Sequence, residues 1–165
     1  MRILTLVRHA KSSRDYPELS DFERPLTPRG RKDAAAIAAK LRKADLKPDL
    51  LVTSPALRAI TTARLFAEML GILPEHIMVN PHIYEASVQT LLHITRSLPD
   101  GKREIMLFGH NPGLTHFAHQ LAECPFDELP TSGAVRIELP VKAWAVVRHG
   151  AGRVLRFDSP KEKKN

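Results

Sequence analysis

One cysteine, Cys124, in 165 residues leaves no partner for an internal disulfide and no cysteine cluster for zinc. That points to a reducing compartment. No run approaches the roughly 18 consecutive apolar residues of a membrane helix, and the opening MRILTLV is too short an apolar stretch for a secretory signal. These absences predict a cytoplasmic protein with no membrane partner. Aromatic residues make up only 5% and the arginines are dispersed, so the clustered basic and aromatic surface of a nucleic-acid binder is missing. Internal repeats and low-complexity linkers are missing as well. One domain over 1–160 is expected, followed by a flexible basic tail, KEKKN, at 161–165.

What is present is a chain with 43% hydrophobic residues and 25 Lys and Arg against 18 acidic residues, a net charge of +7. That excess favours anionic partners such as phosphates, or is simply a soluble basic surface. Short apolar runs at 3–7, 50–53, 77–79, 104–108, 134–139 and 153–157 alternate with longer helical patterns. The alternation predicts an α/β fold, a three-layer α/β/α sandwich around a mainly parallel sheet. In TPRGRKDAAAIAAKLRKA, Thr27 reads as N-cap and Pro28 as first helical residue, with Ala35, Ile37, Ala38 and Leu41 as an apolar stripe. SPALRAITTARLFAEMLG repeats that opening with Ser54 and Pro55 and closes on Gly71. SVQTLLHITRSL and PGLTHFAHQLAE are shorter helical candidates, and a polar loop covers 12–26.

Three segments share one layout, a strand running into polar residues and then a turn or helix start: LTLVRHAK, LLVTSPALRAITTA and IMLFGHNPGL. In an open parallel sheet the carboxyl ends of the strands lie along one edge, where ligands bind. Arg8, His9, Arg58 and His110 are therefore expected to meet there. Helices opening at Pro55 and Pro112 would direct free N–H groups to the same edge, and Gly109 and Gly113 would allow close approach to a ligand. Two arginines, two histidines and two helix N-termini describe a phosphoryl site, because the guanidinium fork makes paired, charge-assisted hydrogen bonds with phosphate. A neutral imidazole also adds a nucleophile near neutral pH. No metal or cofactor is needed if the guanidinium groups carry the electrostatic load.

RHAKS, RPLTPRG, TSPALRAITTA and GHNPG, in that order and in those strand contexts, resemble the histidine phosphatase superfamily, the phosphoglycerate-mutase-like fold. Within it the chain is most similar to the short SixA-like phosphohistidine phosphatases. The resemblance implies that His9 is the nucleophile that becomes phosphorylated and that Arg8, Arg58 and His110 complete the phosphate pocket. Arg24, in ERPLT, matches an arginine that SixA-like members place at the site entrance; the plainer reading pairs it with Glu23 or Asp21 in a solvated loop. Glu85, in IYEAS, falls where other members carry an acid, and could equally be a solvated strand-end carboxylate. Ala10 stands where the superfamily commonly has glycine, a replacement that is strained only if the backbone needs a positive φ. RHAKS does recur among SixA-like members.

Lys11, Gly109 and Asn111 are the remaining candidates for substrate binding, Lys11 lining the pocket mouth or facing water with Ser12 and Ser13. His116 and His119 stand at i, i+3 but lack a further ligand at zinc spacing, which makes them helix-surface or packing residues. The chain has no inserted segment between Glu85 and His110 beyond one helix and its turns, so an open pocket without a lid is expected. Such a pocket suits a phosphorylated side chain on another protein. The expected activity is a metal-independent protein phosphohistidine phosphatase. The alternatives are a phosphatase of small phosphomonoesters such as sugar phosphates or nucleotides, and a catalytically silent phosphate or nucleic-acid binding module.

Overall fold

The computed structural model describes residues 1–160; the tail expected at 161–165 lies outside the described residues. The chain runs β1 (Arg2–Arg8), α1 (Pro28–Lys43), β2 (Leu50–Thr53), α2 (Leu57–Leu70), β3 (Ile77–Val79), α3 (Val88–Arg96), β4 (Glu104–Gly109), α4 (Gly113–Leu121), β5 (Ala134–Leu139) and β6 (Arg153–Asp158). All six expected strands form, with ends differing by at most one residue. They make one sheet in the order β3-β2-β4-β1-β5-β6. The pairs among β3, β2, β4 and β1 are parallel, and β5 and then β6 extend the sheet antiparallel beyond β1.

Period-two alternation decides which helix covers which face. Leu4 and Leu6 of β1, Leu50 and Val52 of β2, and Ile105 and Leu107 of β4 are buried together with Leu91 of α3 and Phe117 of α4. Their alternates Val7, Leu51, Met106 and Phe108 pack with Ile37 of α1 and Phe66 of α2. The result is the three-layer sandwich, with α1 and α2 on one side and α3 and α4 on the other.

Local chemistry sets the helix ends. Thr27 accepts from Gly30 N and precedes Pro28, as read from the sequence. Gly71 closes α2 at φ 72, a left-handed angle that suits glycine. The start of α2 is a correction: Ala56 is its cap, with no side-chain hydrogen bond, and the helix begins at Leu57 instead of Pro55. Ser54 and Pro55 belong to an extended turn, because Ala56 keeps a ψ of 139. Likewise Pro112 is the cap of α4 and Gly113 its first residue.

The ends of the polar loop at 12–26 are fastened. Ser12 bridges to Leu26, Thr27 N donates to Lys11 O at 2.9 Å, and a Cβ on Gly30 would overlap that same carbonyl oxygen. The loop is thereby held at the carboxyl edge of the sheet.

Candidate active site

β1 and β4 are neighbours whose following helices pack on opposite faces, and this switch point is where a crevice opens in such sheets. The pairing continues past the strands, since His9 N donates to Gly109 O at 3.1 Å. Side chains one residue beyond each strand are thus brought together, and the His9 and His110 ring centroids lie 5.2 Å apart.

His9 Nδ1 is 2.7 Å from the carbonyl oxygen of Ala10. A carbonyl only accepts, so Nδ1 carries the proton and Nε2 keeps its lone pair. Ala10 is fixed in turn. Its N–H donates to Thr62 Oγ1 at 2.9 Å, and that hydroxyl donates to Arg58 O at 2.7 Å. Ala10 is fully buried and is not among the residues with positive φ, so alanine stands there without strain. Burial, with Arg58, Arg8 and Arg24 adding to it against the Ala10 carbonyl, lowers the His9 pKa to about 4. The ring is neutral at pH 7.

Three arginines surround the pair. Arg8, at the end of β1, donates through Nη1 to Leu129 O at 3.1 Å and lies 3.6 Å from Glu128. Arg58, in the first turn of α2, is buried and reaches the loop at 12–26, where Nη1 donates to Asp21 O at 2.6 Å and Nη2 to Asp21 Oδ2 at 3.0 Å. Arg24 Nε donates to Asp21 Oδ1 at 3.1 Å, and Tyr84 OH donates to Asp21 Oδ2 at 2.6 Å. The Tyr84 hydrogen bond, then Arg58 and Arg24, hold the Asp21 carboxyl down at about 2. Buried Arg8 Nε, Arg58 Nε and His110 Nδ1 have no partner among the described residues. Buried polar atoms are seldom left so.

His110 Nε2 lies 2.7 Å from Ser54 Oγ. Burial, followed by His9 and Arg58, brings the His110 pKa down to about 3, so this ring is neutral as well. Tyr84 stands edge-on to it at 5.5 Å and to Phe22 at 5.3 Å. A cleft of about 470 Å³ opens beside these rings, lined by Asp21, Arg58, Tyr84, Glu85, His110 and His116 among others.

The structure thus brings together Arg8, His9, Arg24, Arg58 and His110. Arg24 pairs with Asp21, and its charge is felt by both histidines. Glu23 takes no part, being bound to Ser20 Oγ at 2.8 Å. Glu85 is exposed at the cleft rim, in a turn after β3, at a φ of 54. Lys11 is exposed. Asn111 lines the cleft, but its amide is engaged with Leu129 O at 2.9 Å and Thr115 Oγ1 at 2.8 Å. Gly109 and Gly113 are both approached closely by protein, and Gly113 also lines the cleft. A Cβ on Gly109 would meet the Ile83 side chain at 3.2 Å, and one on Gly113 would overlap Ala86 O. His116 is on the helix surface, as expected, yet it faces the cleft; His119 Nε2 lies 3.0 Å from Asp127 O.

Asp21, Tyr84 and Ser54 are site residues that the sequence does not single out. For Asp21 the sequence signal is its place three residues before Arg24. Among the described residues, no group of three or more His, Cys, Asp or Glu side chains could hold a metal ion. No helix among them is long and apolar enough to cross a membrane.

A family model described as histidine phosphatase superfamily (branch 1) matches residues 4–97. An uncharacterised chloroplastic protein of Arabidopsis thaliana is 32% identical over 152 residues, 87% of this chain and 69% of that one. Among solved structures, the protein histidine phosphatase SixA complexed with tungstate superposes with a TM-score of 0.81 at 22% identity, over 96% of this chain and 97% of that one. A mycobacterial glucosyl-3-phosphoglycerate phosphatase shares the fold at a TM-score of 0.65 and 17% identity, over 98% of this chain and 100% of that one.

Proposed function

The chain belongs to the histidine phosphatase superfamily, branch 1, and from that membership we propose that it removes the phosphoryl group from phosphohistidine on a partner protein, through a covalent intermediate on its own His9. The observation that carries this reading is the bond between His9 Nδ1 and Ala10 O at 2.7 Å. It leaves a neutral imidazole with its Nε2 lone pair available, among arginines that can neutralise the incoming phosphate.

In the first step the Nε2 lone pair attacks phosphorus. A P–N bond to His9 forms as the P–N bond to the substrate imidazole breaks, and the departing ring takes up a proton. In the second step water attacks phosphorus, the bond to Nε2 breaks with its electron pair returning to nitrogen, and inorganic phosphate leaves. Arg8, Arg58 and His110 stabilise the equatorial oxygens in both steps. Arg24 and Lys11 meet the substrate at the mouth. A phosphohistidine leaves readily once its ring is protonated, so it asks less of a general acid than an alkoxide would. That suits Glu85, which is exposed at the rim rather than buried beside the histidines.

SixA, the neighbour with the higher TM-score, was solved with tungstate, a tetrahedral oxyanion like phosphate. A second reading, a phosphatase of small phosphomonoesters, is favoured by the cleft of about 470 Å³ that Glu85 shares with Tyr84 and His116. This volume suits a small ligand.

Brief incubation with a ³²P-phosphohistidine protein, followed by denaturation without acid, tests the proposal. Label on the chain that is acid-labile, base-stable and absent from His9→Ala is the expected result. Turnover that survives in His9→Ala would remove the covalent mechanism, and a wild type active only on sugar or alcohol phosphates would replace the substrate.

A further inference from the structure

Ser54 follows β2 directly and has no exposed surface. Its hydroxyl oxygen accepts the Ala56 N–H at 3.2 Å and lies 2.7 Å from His110 Nε2. A hydroxyl carries one proton, and among the described residues the acceptor within reach of that proton is His110 Nε2. If Nε2 were itself protonated, Ser54 Oγ would accept twice and its own hydrogen would be buried without a partner, which folded proteins avoid. Donation from Ser54 satisfies both groups. It leaves Nε2 as the acceptor and places the ring proton on Nδ1, a buried atom with no partner among the described residues. Ser54 does not line the cleft, whereas His110 does, so it acts through His110.

We infer that Ser54 is a positioning residue: by donating to His110 Nε2 it fixes the imidazole as the Nδ1–H tautomer, leaving that N–H as the donor offered to the phosphoryl oxygens. The inference deepens the phosphoryl-transfer reading of the site and rests on it. A tautomer matters only for a neutral ring, and burial keeps His110 neutral at pH 7. The two histidines then have opposite jobs with the same tautomer. His9 holds its Nδ1 proton against Ala10 O and attacks through Nε2, whereas His110 holds Nε2 against Ser54 and donates through Nδ1. A hydroxyl at this place therefore keeps the second imidazole from presenting a lone pair to an anion.

The test reads the tautomer without any substrate. In ¹⁵N-detected ring spectra of the full chain at pH 7, the His110 pattern should be that of protonated Nδ1 and bare Nε2, and adding inorganic phosphate should move the Nδ1 resonance. Ser54→Ala should shift the ring toward the Nε2–H form and lower kcat/KM on an aryl phosphate by about 10- to 100-fold, as for loss of one oxyanion donor. Ser54→Thr, which keeps the hydroxyl, should return the tautomer toward wild type. A wild-type His110 in the Nε2–H form would overturn the inference. So would a Ser54→Ala that melts earlier through loss of the Ala56 contact but keeps both the tautomer and kcat/KM. If wild type turned over no phosphate compound at all, the proposed function would fall, while the tautomer assignment would be judged by the spectra alone.

Discussion

The backbone carbonyl and the carboxylate of Asp21 both bind the Arg58 guanidinium, at 2.6 and 3.0 Å. The same carboxylate takes Arg24 and Tyr84, so one acidic side chain ties the loop at 12–26 to α2 and to the turn before α3. An anion inside a phosphate site looks counterproductive. It is tolerable because Arg58 has five N–H donors in a fixed fork and Asp21 engages only two groups, leaving Nε unpartnered.

Asp21→Ala should release the loop and the orientation of Arg24 and Arg58 together. KM is expected to rise about tenfold with a smaller fall in kcat, and proteolysis within 14–20 should quicken, since an unfastened loop opens more often. Steady-state kinetics and limited proteolysis check this. A KM that drops instead would mean that Asp21 chiefly competes with the substrate phosphate.

Arg58 and Arg24 should fail differently. The Arg58 side chain is 7% exposed and that of Arg24 is 14% exposed, but Arg58 rises from a helix and Arg24 from the loop. Arg58→Ala removes a rigid donor that tightens on the transition state, so kcat and kcat/KM should both fall, about 100- to 1,000-fold as for an oxyanion-hole donor. Arg24→Ala should act chiefly on KM. Equal patterns of loss in the two variants would dissolve the distinction between an inner and an outer arginine.

The sheet and the central site residues were legible because each rests on a local signal. Alternating Leu4-Thr5-Leu6-Val7 reads as a strand with two buried faces, and Arg8 and His9 immediately follow it, so topology alone delivers them to the carboxyl edge. Ser54 was legible only as a cap, since serine before proline is a common helix opening; its contact with His110 spans 56 positions and has no local signature. Tyr84 binding Asp21 across 63 positions is hidden for the same reason. Gly109 and Gly113 signal close approach without saying to what. In Gly113 the partner is the backbone of Ala86.

That contact makes Gly113→Ala a direct probe of the turn carrying Glu85. The added methyl overlaps Ala86 O, which is backbone and cannot swing aside, so either α4 or the turn must shift. Overpacking of this kind costs about 1–3 kcal/mol. Denaturant unfolding should show a lowered midpoint with an unchanged slope, while Gly101→Ala, with nothing near its Cβ, should be close to neutral.

Acid should destabilise the fold before the carboxylates titrate. His9 and His110 are held at about 4 and about 3, below the unfolded value of 6.5, so the unfolded chain binds more protons between those limits. Their contribution is present above pH 6.5 and is lost as pH falls through 4 and then 3. Asp21, held at about 2 against 3.8, adds a loss at lower pH. Unfolding free energy measured from pH 7 to 4 should therefore decline, and His9→Asn should flatten part of that decline. Activity should keep a low acid limb, because the nucleophile stays neutral down to about pH 4.

Glu85 separates the two substrate readings. An alkyl phosphate expels an alkoxide that must be protonated as it departs, and a positioned acid contributes about 10²- to 10⁴-fold to such a step. A phosphohistidine leaves as an imidazole that is readily protonated from water, and an aryl phosphate leaves as a stabilised phenolate. Neither depends much on a carboxyl at the rim. Glu85→Gln keeps the shape and the φ of 54 while removing the titrating group. Activity on a phosphohistidine protein and on an aryl phosphate should stay within about threefold of wild type, whereas any alkyl phosphatase activity should fall by about 10²-fold or more. A wild type that prefers an alcohol phosphate and loses that activity in Glu85→Gln would make Glu85 the acid of a small-molecule phosphatase. Indifference of every substrate to the change would leave Glu85 a solvated residue at the edge of the cleft.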